Sequence, residues 1–196
     1  MLHDLSFDIG PGKIIALTGP TGSGKTTVAN LIMRFFIPDS GRITIDGIDL
    51  SKISRKSLSR YVAAVLQDPW VFDGSIRDNI VYNCEGVSDE DVIRVARLTG
   101  LDGFVRNLPD GYDTIIGQNT KKVPLAQRRT IGLCRAFVRN SKILILDEAV
   151  AGLDPITGFT IFQELDKMSK DRTIIIISHN EAILDRIDTV INLGKD

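Results

Sequence analysis

The sequence is poor in cysteine, in tryptophan and in long apolar runs. Its 196 residues include two cysteines, Cys84 and Cys134, and one tryptophan. The cysteines are far apart and not in a metal-ligand spacing, so they favour a reducing compartment over a disulfide framework or a zinc site. The longest apolar runs, such as residues 174–177, fall far short of the roughly 18 residues that cross a bilayer, and the N-terminus has no signal-peptide pattern. We therefore expect a soluble chain.

An excess of charge of one sign is also absent. The formal net charge is -1, which implies no broad basic surface and argues against a protein that grips nucleic-acid phosphates. With 43% hydrophobic and 25% charged residues, the chain is long enough for one buried core and short for two. We expect a single domain and no nucleic-acid partner.

Short β-branched runs alternate with helical patterns, which indicates an α/β fold with a mainly parallel sheet. The predicted strands are residues 14–17, 42–45, 61–66, 143–146, 173–177 and 189–192. The run at 42–47 differs from the others because it alternates in period two and enters an Asp46-Gly47 turn, so it predicts a small antiparallel layer.

No central strand is predicted between Asp68 and Asn140. Residues 89–98 and 127–138 show helical periodicity instead. This stretch is therefore predicted to be a helical insert.

A glycine-rich stretch lies between the first predicted strand and a helical pattern over residues 26–36. It consists of Gly19, Pro20, Thr21, Gly22, Ser23, Gly24, Lys25 and Thr26, followed by Thr27. This is the Walker A pattern of nucleotide triphosphate binders, in which glycines let backbone N–H groups curl around a phosphate. Lys25 would meet the β- and γ-phosphates, and the Thr26 hydroxyl would ligate Mg²⁺. A glycine-rich turn that matches by accident is the alternative, and the flanking strand and helix argue against it.

A second motif is the apolar strand that ends in Asp147 and Glu148. A carboxylate at Asp147 suits Mg²⁺, usually through water, because this ion keeps most of its hydration shell. Glu148 would point away from the face of Asp147, toward a water that attacks the γ-phosphate and loses its proton. A solvated strand end is the alternative, and it loses weight beside an independent phosphate loop.

His179 follows the predicted strand at 173–177, at the kind of strand end where doubly wound sheets place their ligands. It would donate a hydrogen bond to the γ-phosphate or to the attacking water. A structural cap at the strand end is the alternative that position alone leaves open. The other histidine, His3, is expected to be exposed.

In the order and spacing of these motifs, essentially the whole chain resembles the nucleotide-binding domain of an ATP-binding cassette (ABC) transporter. The resemblance implies a P-loop NTPase core of residues 1–67 and 141–196, an inserted α-helical subdomain of residues 68–140, and ATP and Mg²⁺ as cofactors. It implies that Gln67 is the Q-loop glutamine, which binds Mg²⁺ and the attacking water. It also implies that Asp154 belongs to the D-loop, which crosses a dimer interface, and that His179 is the switch histidine.

Residues 71–80 resemble the segment that follows the Q-loop in exporter-type cassettes, where it faces the membrane domain. The resemblance therefore implies an exporter rather than an importer. It places the chain at the cytoplasmic face of the membrane, in contact with a transmembrane domain through the helical subdomain.

The signature sequence of this family, Leu-Ser-Gly-Gly-Gln, completes the ATP site of a second cassette when two cassettes close head to tail. Counting back from Arg135-Ala136 places Val123, Pro124, Leu125, Ala126 and Gln127 at this position. Only the glutamine matches. Pro124 has neither a hydroxyl nor an N–H, and Leu125 adds bulk where the backbone should approach the phosphate, although the helix should still form. Losing two charge-assisted hydrogen bonds of about 1.5 kcal/mol each would weaken closure by about two orders of magnitude.

Two other departures from the family pattern affect the expectations. Gln118 and Asn119 stand in place of the Glu-Arg of the exporter X-loop, which puts the usual communication with the membrane domain in doubt. The sequence also starts at a point already inside the family's domain, so the preceding strands and the aromatic residue that stacks on adenine are not in it. On this basis we expect weak nucleotide affinity and poor discrimination between ATP and GTP.

The leading hypothesis is an ATPase that powers a membrane exporter by ATP-driven dimer closure, in a heterodimer, with weak activity as an isolated chain. The alternative is a non-hydrolytic, ATP-dependent dimerisation module, which the degenerate residues 123–126 favour and Glu148 and His179 oppose. A soluble cassette acting on DNA or ribosomes is a third hypothesis, which the lack of a basic stripe and of a second cassette opposes. The sequence leaves open the transported substrate and the choice between homodimer and heterodimer.

Overall fold

The chain forms an α/β structure in which short strands and helices alternate. The computed structural model describes residues 2, 4–117, 123–187 and 189–194. The elements in chain order are β1 (Ile14–Thr18), α1 (Lys25–Ile32), β2 (Thr44–Ile45), β3 (Ile48–Asp49), α2 (Arg55–Tyr61), β4 (Val62–Val65), β5 (Gly74–Ser75), α3 (Ile76–Val81), α4 (Asp89–Leu98), α5 (Leu101–Val105), β6 (Ile115–Ile116), α6 (Leu125–Val138), β7 (Ile143–Asp147), α7 (Pro155–Ser169), β8 (Thr173–Ile177), α8 (Glu181–Leu184) and β9 (Thr189–Asn192).

Five strands form the main sheet, in the order β4-β7-β8-β1-β9. Strand β8 pairs in parallel with β7 on one side and with β1 on the other, and β1 also pairs in parallel with β9. Consecutive residues of the inner strands are buried, as at Leu144, Ile145 and Leu146, each 0% exposed. Burial on both faces explains why these strands are continuous apolar runs rather than alternating ones. The predicted α/β fold is confirmed.

Two small antiparallel ladders lie outside this sheet. Strands β2 and β3 pair through Thr44 with Asp49 and Ile45 with Ile48, and the turn between them has φ 50° at Asp46 and 76° at Gly47. Positive φ at both turn residues is the hairpin geometry that an Asp-Gly pair favours. The predicted antiparallel layer is therefore present, and a second ladder joins β5 to β6.

Helices α3 and α4 begin at capping boxes. The Ser75 side chain accepts a hydrogen bond from the Asp78 N–H while the Asp78 carboxylate accepts one from the Ser75 N–H, and Ser88 and Asp91 do the same for α4. Each pair satisfies two backbone donors that a helix start leaves without partners. These caps fix where both helices begin.

Three predicted helix bounds differ from the observed ones, and the smallest difference is at the start of α1, which is Lys25 instead of residue 26. Helix α1 ends at Ile32 instead of residue 36, because Arg34 takes a positive φ of 58° and the chain turns there. Helix α6 begins at Leu125, two residues before the predicted start. Helix α4 has the predicted bounds. None of the helices in the described part of the chain has the length and apolar content of a bilayer crossing.

The chain forms two compact units. The first consists of Met1–Ala64, Ser141–Glu148 and Met168–Asp196, and the second of Val65–Asn140 and Ala149–Lys167. The first unit contains the glycine-rich loop and β7, and the second contains α3 to α6. The predicted functional residues therefore fall into two groups, one in each unit.

Candidate nucleotide-binding site

The glycine-rich loop of the first unit connects β1 to α1. Gly19, Gly22 and Gly24 have φ of 142°, 84° and 94°. A Cβ atom at Gly19 would lie 2.9 Å from Ser23 Oγ and 3.3 Å from the backbone N of Gly194. The loop therefore needs glycine both for its backbone conformation and for space.

Lys25 stands at the first position of α1 and is 7% exposed. Its ammonium donates to the carbonyl oxygens of Gly19, at 2.8 Å, and Pro20, at 2.9 Å. No carboxylate of the described residues forms an ion pair with it. A buried ammonium that is held only by neutral carbonyls is well placed to take an anionic partner, since charge-assisted hydrogen bonds are the stronger ones.

Thr26 and Asp147 meet across 121 positions of sequence. The Thr26 hydroxyl donates to the Asp147 carboxylate at 2.8 Å, and Asp147 is 1% exposed. Burial raises the pKa of the Asp147 carboxyl above its ordinary value, against the Thr26 hydrogen bond and the charges of Lys25 and His179. The structure thus brings together the hydroxyl and the carboxylate that the sequence assigned to Mg²⁺.

This donor set fits magnesium. Within the described residues there is no group of three or more His, Cys, Asp or Glu side chains that could hold a metal. Magnesium needs few protein ligands because it keeps several waters and also binds substrate phosphates. In the loop beside Thr26, the Ser23 hydroxyl is buried and has no hydrogen-bond partner, so the loop holds a polar group that a ligand could satisfy.

Glu148 and His179 lie close together at the ends of β7 and β8. Glu148 has a positive φ of 51°, and its N–H donates to the Ile177 carbonyl at 3.0 Å. Glu148 Oε1 is buried without a hydrogen-bond partner and lies 3.7 Å from His179 Nε2. The His179 side chain is 49% exposed, whereas that of Glu148 is 18% exposed. A buried acceptor beside an accessible imidazole is an arrangement that can accept and donate protons.

The strand end at β8 already has a side-chain contact of its own. The Ser178 hydroxyl accepts a hydrogen bond from the Asn180 N–H at 3.1 Å, a turn that Ser favours. The ligand-directed role of His179 and the capping role that the sequence left open both stay predictions.

The second unit contains Gln67 and Asp154. Gln67 is exposed, and its carbonyl oxygen accepts a hydrogen bond from Arg129 Nε at 3.2 Å. Asp154 Oδ1 accepts hydrogen bonds from the N–H groups of Ile156, at 3.1 Å, and Thr157, at 3.0 Å, so Asp154 caps the start of α7. The hydrogen bonds from the side chain and backbone of Thr157 lower the pKa of Asp154 from its ordinary value. The role of Gln67 toward Mg²⁺ and the attacking water, and that of Asp154 at a dimer interface, stay predictions.

The residues that the family resemblance aligns with the signature lie at the start of α6. Pro124 is the N-cap residue and makes no side-chain cap hydrogen bond, and its carbonyl accepts from the Arg128 N–H at 3.0 Å. Leu125, the first helical residue, is 41% exposed. The expectation that the helix forms despite proline is confirmed. The X-loop residues Gln118 and Asn119, as well as His3, lie outside the described residues.

Sequence reasoning missed part of the second group. Arg128 and Arg129 follow the signature directly and were given no role, although Arg128 lies 3.1 Å from the Asp68 carboxylate and Arg129 contacts two loops. Arg135 served only to align the signature, yet it makes three hydrogen bonds. The available signal was the density of arginine on one helix, at positions that helical spacing places on neighbouring faces.

Comparison with known proteins gives consistent results. A family model described as ABC transporter matches residues 2–151. A fatty acid ABC transporter ATP-binding/permease protein of Mycobacterium bovis is 38% identical over 97% of this chain and 30% of the relative. A beta-(1-->2)glucan export ATP-binding/permease protein of Rhizobium etli is 38% identical over 98% of this chain and 33% of the relative.

A solved bacterial Atm1-family ABC exporter with ATP bound superimposes with a TM-score of 0.91 at 35% identity, over 98% of this chain and 34% of that one. The chain spans about a third of the length of these relatives. The family match covers most of the chain, and the structural match covers nearly all of it. The chain therefore belongs to the ABC transporter family and has the fold of an exporter ATP-binding domain.

Proposed function

We propose that this chain binds and hydrolyses ATP to power a membrane exporter, and that it does so as one half of a cassette heterodimer. The observation that carries the proposal is the set of side chains in the first unit: Lys25 on the glycine-rich loop, Thr26 hydrogen-bonded to Asp147, and Glu148 beside His179. The relatives are named as ATP-binding/permease proteins, which supports an exporter.

Each of these residues has a role in the proposed reaction. Lys25 would exchange its two loop carbonyls for the β- and γ-phosphates of ATP, a stronger charge-assisted contact. Thr26 and Asp147 would hold Mg²⁺, and this ion would neutralise charge that develops on the phosphate oxygens. Little covalent chemistry is then left for the protein, so positioning and electrostatics dominate.

Glu148 and His179 would act on the attacking water. The unpartnered Glu148 Oε1 can accept the water proton, and the left-handed backbone at Glu148 turns its side chain away from that of Asp147. The accessible His179 imidazole can donate a hydrogen bond to the γ-phosphate. Gln67, in the second unit, would contribute to binding Mg²⁺ and the water, as the family resemblance implies.

The signature supports the heterodimer. Pro124 and Leu125 occupy positions where the family has a hydroxyl and a glycine, so this chain would hold the partner's ATP weakly. Its own site would be completed by an intact signature on a different cassette, with Asp154 near the interface. We also propose that residues 68–140 act as the helical subdomain that contacts the membrane domain, which places the chain at the cytoplasmic face of the membrane.

The test measures ATP hydrolysis by the chain alone and with a cassette that carries an intact signature. We expect turnover to be low alone, to rise with the partner, and to be lost with Glu148→Gln while MgATP binding is kept. Turnover at ordinary family rates by the isolated chain, abolished by Glu148→Gln, would overturn the heterodimer.

A non-hydrolytic dimerisation module is the second candidate, and the degenerate residues 123–126 favour it. This candidate predicts that the chain associates with its partner in an ATP-dependent way. It also predicts that Glu148→Gln leaves the rate of ATP hydrolysis unchanged. The same experiment therefore separates the two candidates.

A further inference from the structure

Helix α6 holds two loops of the second unit through one arginine. Arg129 Nε donates to the carbonyl oxygen of Gln67 at 3.2 Å, and Arg129 Nη1 donates to that of Ala151 at 3.4 Å. Ala151 precedes Asp154 by three residues. A single guanidinium thus joins the helix that carries the signature to the Gln67 segment and to the loop before α7.

A second arginine lies further along the same helix. Arg135 Nε donates to the Asn79 carbonyl at 2.8 Å, Nη1 to the Trp70 carbonyl at 3.1 Å, and Nη2 to Asn79 Oδ1 at 3.3 Å. Its guanidinium carbon lies 5.8 Å from the centroid of the Phe72 ring and 5.9 Å from that of Tyr82. Both distances are within the range of a cation–π contact.

Asn79 extends this network to the chain between β4 and β5. It is 0% exposed, its Oδ1 accepts from the Phe72 N–H at 3.1 Å, and its amide donates to the Phe72 carbonyl at 3.0 Å. Within residues 66–73 there is neither helix nor strand. Backbone groups outside helices and strands need other hydrogen-bond partners. In this segment, arginine and asparagine side chains supply some of them.

The shape of arginine suits these two positions. Its planar fork presents donors in several fixed directions, so one side chain can reach two carbonyl groups that belong to different loops. Lysine carries the same charge at a single point, so its ammonium can reach two carbonyls only where these lie close together, as Gly19 and Pro20 do around Lys25. The contacts therefore depend on the shape of the guanidinium as well as on its charge.

We propose that Arg129 and Arg135 are positioning residues that fix the backbone of residues 67–72 on α6. Through Arg129, the same contact sets the position of Gln67 relative to the loop that leads to Asp154 and to the signature at residues 123–127. The role of Gln67 in hydrolysis rests on the proposed function. The attachment of residues 67–72 to α6 by the two arginines does not.

The first test follows the segment directly, because Trp70 is the one tryptophan of the chain and is 65% exposed. Its fluorescence anisotropy decay is compared in the full chain and in Arg135→Ala, Arg135→Lys and Arg129→Ala, with Arg60→Ala on α2 as the control. In the three variants we expect an added nanosecond component, the timescale of a released loop, that the control lacks. Decay curves identical to those of the unsubstituted chain would overturn the proposal. Since Arg135→Ala removes a partly buried side chain, circular dichroism first checks that each variant is folded, and Arg135→Lys gives the answer if Arg135→Ala is not.

The second test separates positioning from stability. With MgATP, Arg129→Ala should lower kcat about ten- to a hundredfold, because small displacements of a catalytic group have effects of this size, and should leave KM within about twofold. Arg129→Lys should recover part of kcat. A change in unfolding midpoint with no change in kcat would show a merely structural arginine and overturn the positioning role. If the unsubstituted chain shows no turnover even with a partner, the proposed function fails, and the anisotropy decay still decides whether α6 holds the segment.

Discussion

At the scale of single residues, the hydrogen bonds of Lys25 show how the glycine-rich loop is built. Its ammonium is buried and shared between the carbonyls of Gly19 and Pro20. Both acceptors are neutral. A charge-assisted hydrogen bond from this ammonium to a phosphate would be stronger than either of them. The loop is thus organised around a cation whose strongest partner comes from outside the chain.

The first prediction concerns this lysine. Lys25→Ala removes about 1.5–3 kcal/mol of charge-assisted hydrogen bonding to ATP, so MgATP affinity should fall by about one to two orders of magnitude. Isothermal titration calorimetry measures the change. Lys13→Ala, in the exposed residues before β1, is the matched control and should bind as before. Equal affinity of Lys25→Ala and the unsubstituted chain would refute the role of the loop.

A second prediction concerns Asp102, which is 8% exposed in the second unit. Its carboxylate lies 2.8 Å from Arg106 and 3.5 Å from Arg97, and it accepts a hydrogen bond from the Tyr112 hydroxyl at 2.8 Å. Burial pushes the pKa of Asp102 upward, but the Tyr112 hydroxyl and the two arginines outweigh it, so the pKa lies below the ordinary value of 3.8.

A carboxyl whose pKa is lowered on folding stabilises the fold above its unfolded pKa, and this stabilisation is lost as the pH falls through the folded pKa. Asp102→Asn should therefore cost about 1–2 kcal/mol at pH 7, and the difference should shrink below about pH 4. Urea unfolding across pH 3–7 measures it. Asp110→Asn, at an exposed position, should show no such trend; a difference for Asp102→Asn that is constant with pH would contradict the prediction.

Much of the site at this scale was predictable from the sequence. The motif around Lys25 and the pair Asp147-Glu148 can be recognised in the sequence, because phosphate and magnesium chemistry restricts the residue types and their spacing. The roles of Arg129 and Arg135 were not predictable, since both arginines contact backbone carbonyl groups. A carbonyl is present at every residue, so the sequence contains no sign of which one is contacted.

At the scale of elements, the glycines of helices α6 and α7 differ in the space around them. A Cβ at Gly132 of α6 would lie 3.0 Å from Pro69 Cβ and 3.2 Å from Val65 Cγ1. A Cβ at Gly158 of α7 would have no atom within 4 Å. The first glycine allows close packing, whereas the second only weakens its helix.

The third prediction follows from this contrast. Gly158→Ala should raise the free energy of unfolding by about 0.5–1 kcal/mol through helix propensity. Gly132→Ala should lower it by about 1–2 kcal/mol, because a proline ring and a β-branched side chain yield little to an added methyl group. Urea denaturation of the two variants provides the comparison. A stabilising Gly132→Ala would show that Pro69 moves away easily.

Elements were predicted best where packing and pattern agree. Strand β8 and helix α4 have the predicted bounds, since a fully buried parallel strand and a capped amphipathic helix each leave a clear pattern. The end of α1 was placed too late, because Met33, Phe35 and Phe36 continue the apolar pattern while Arg34 turns the backbone out of the helix. Phe35 is 65% exposed and Phe36 is 57% exposed, so the apolar pattern continues past the end of the helix without being buried.

At the scale of the whole molecule, the proposed heterodimer requires that residues 123–126 prevent the chain from closing on a second copy of itself. The fourth prediction restores the signature through Pro124→Ser, Leu125→Gly and Ala126→Gly together. The restored hydroxyl and backbone N–H groups should tighten MgATP-dependent self-association by about two orders of magnitude. Sedimentation velocity at several chain concentrations, with and without MgATP, measures the association.

Pro124→Ser alone is the control for this experiment. It supplies a helix cap that α6 lacks, which should add about 1 kcal/mol of stability, while Leu125 still blocks close approach. Self-association of the unsubstituted chain as tight as that of the triple variant would mean that residues 123–126 do not limit closure. Assembly of this kind could be inferred from the sequence only through the family pattern, because no residue of a single chain reveals the identity of its partner.

The backbone conformation at Glu148 affects which residues this position can accept. A glutamate with a φ of 51° occupies a conformation that suits glycine and costs other residues roughly 1–2 kcal/mol. Replacement by glycine would relieve this strain and would remove the carboxylate that we propose as the general base. A relaxed backbone and the proposed reaction therefore place opposite demands on the residue at this one position.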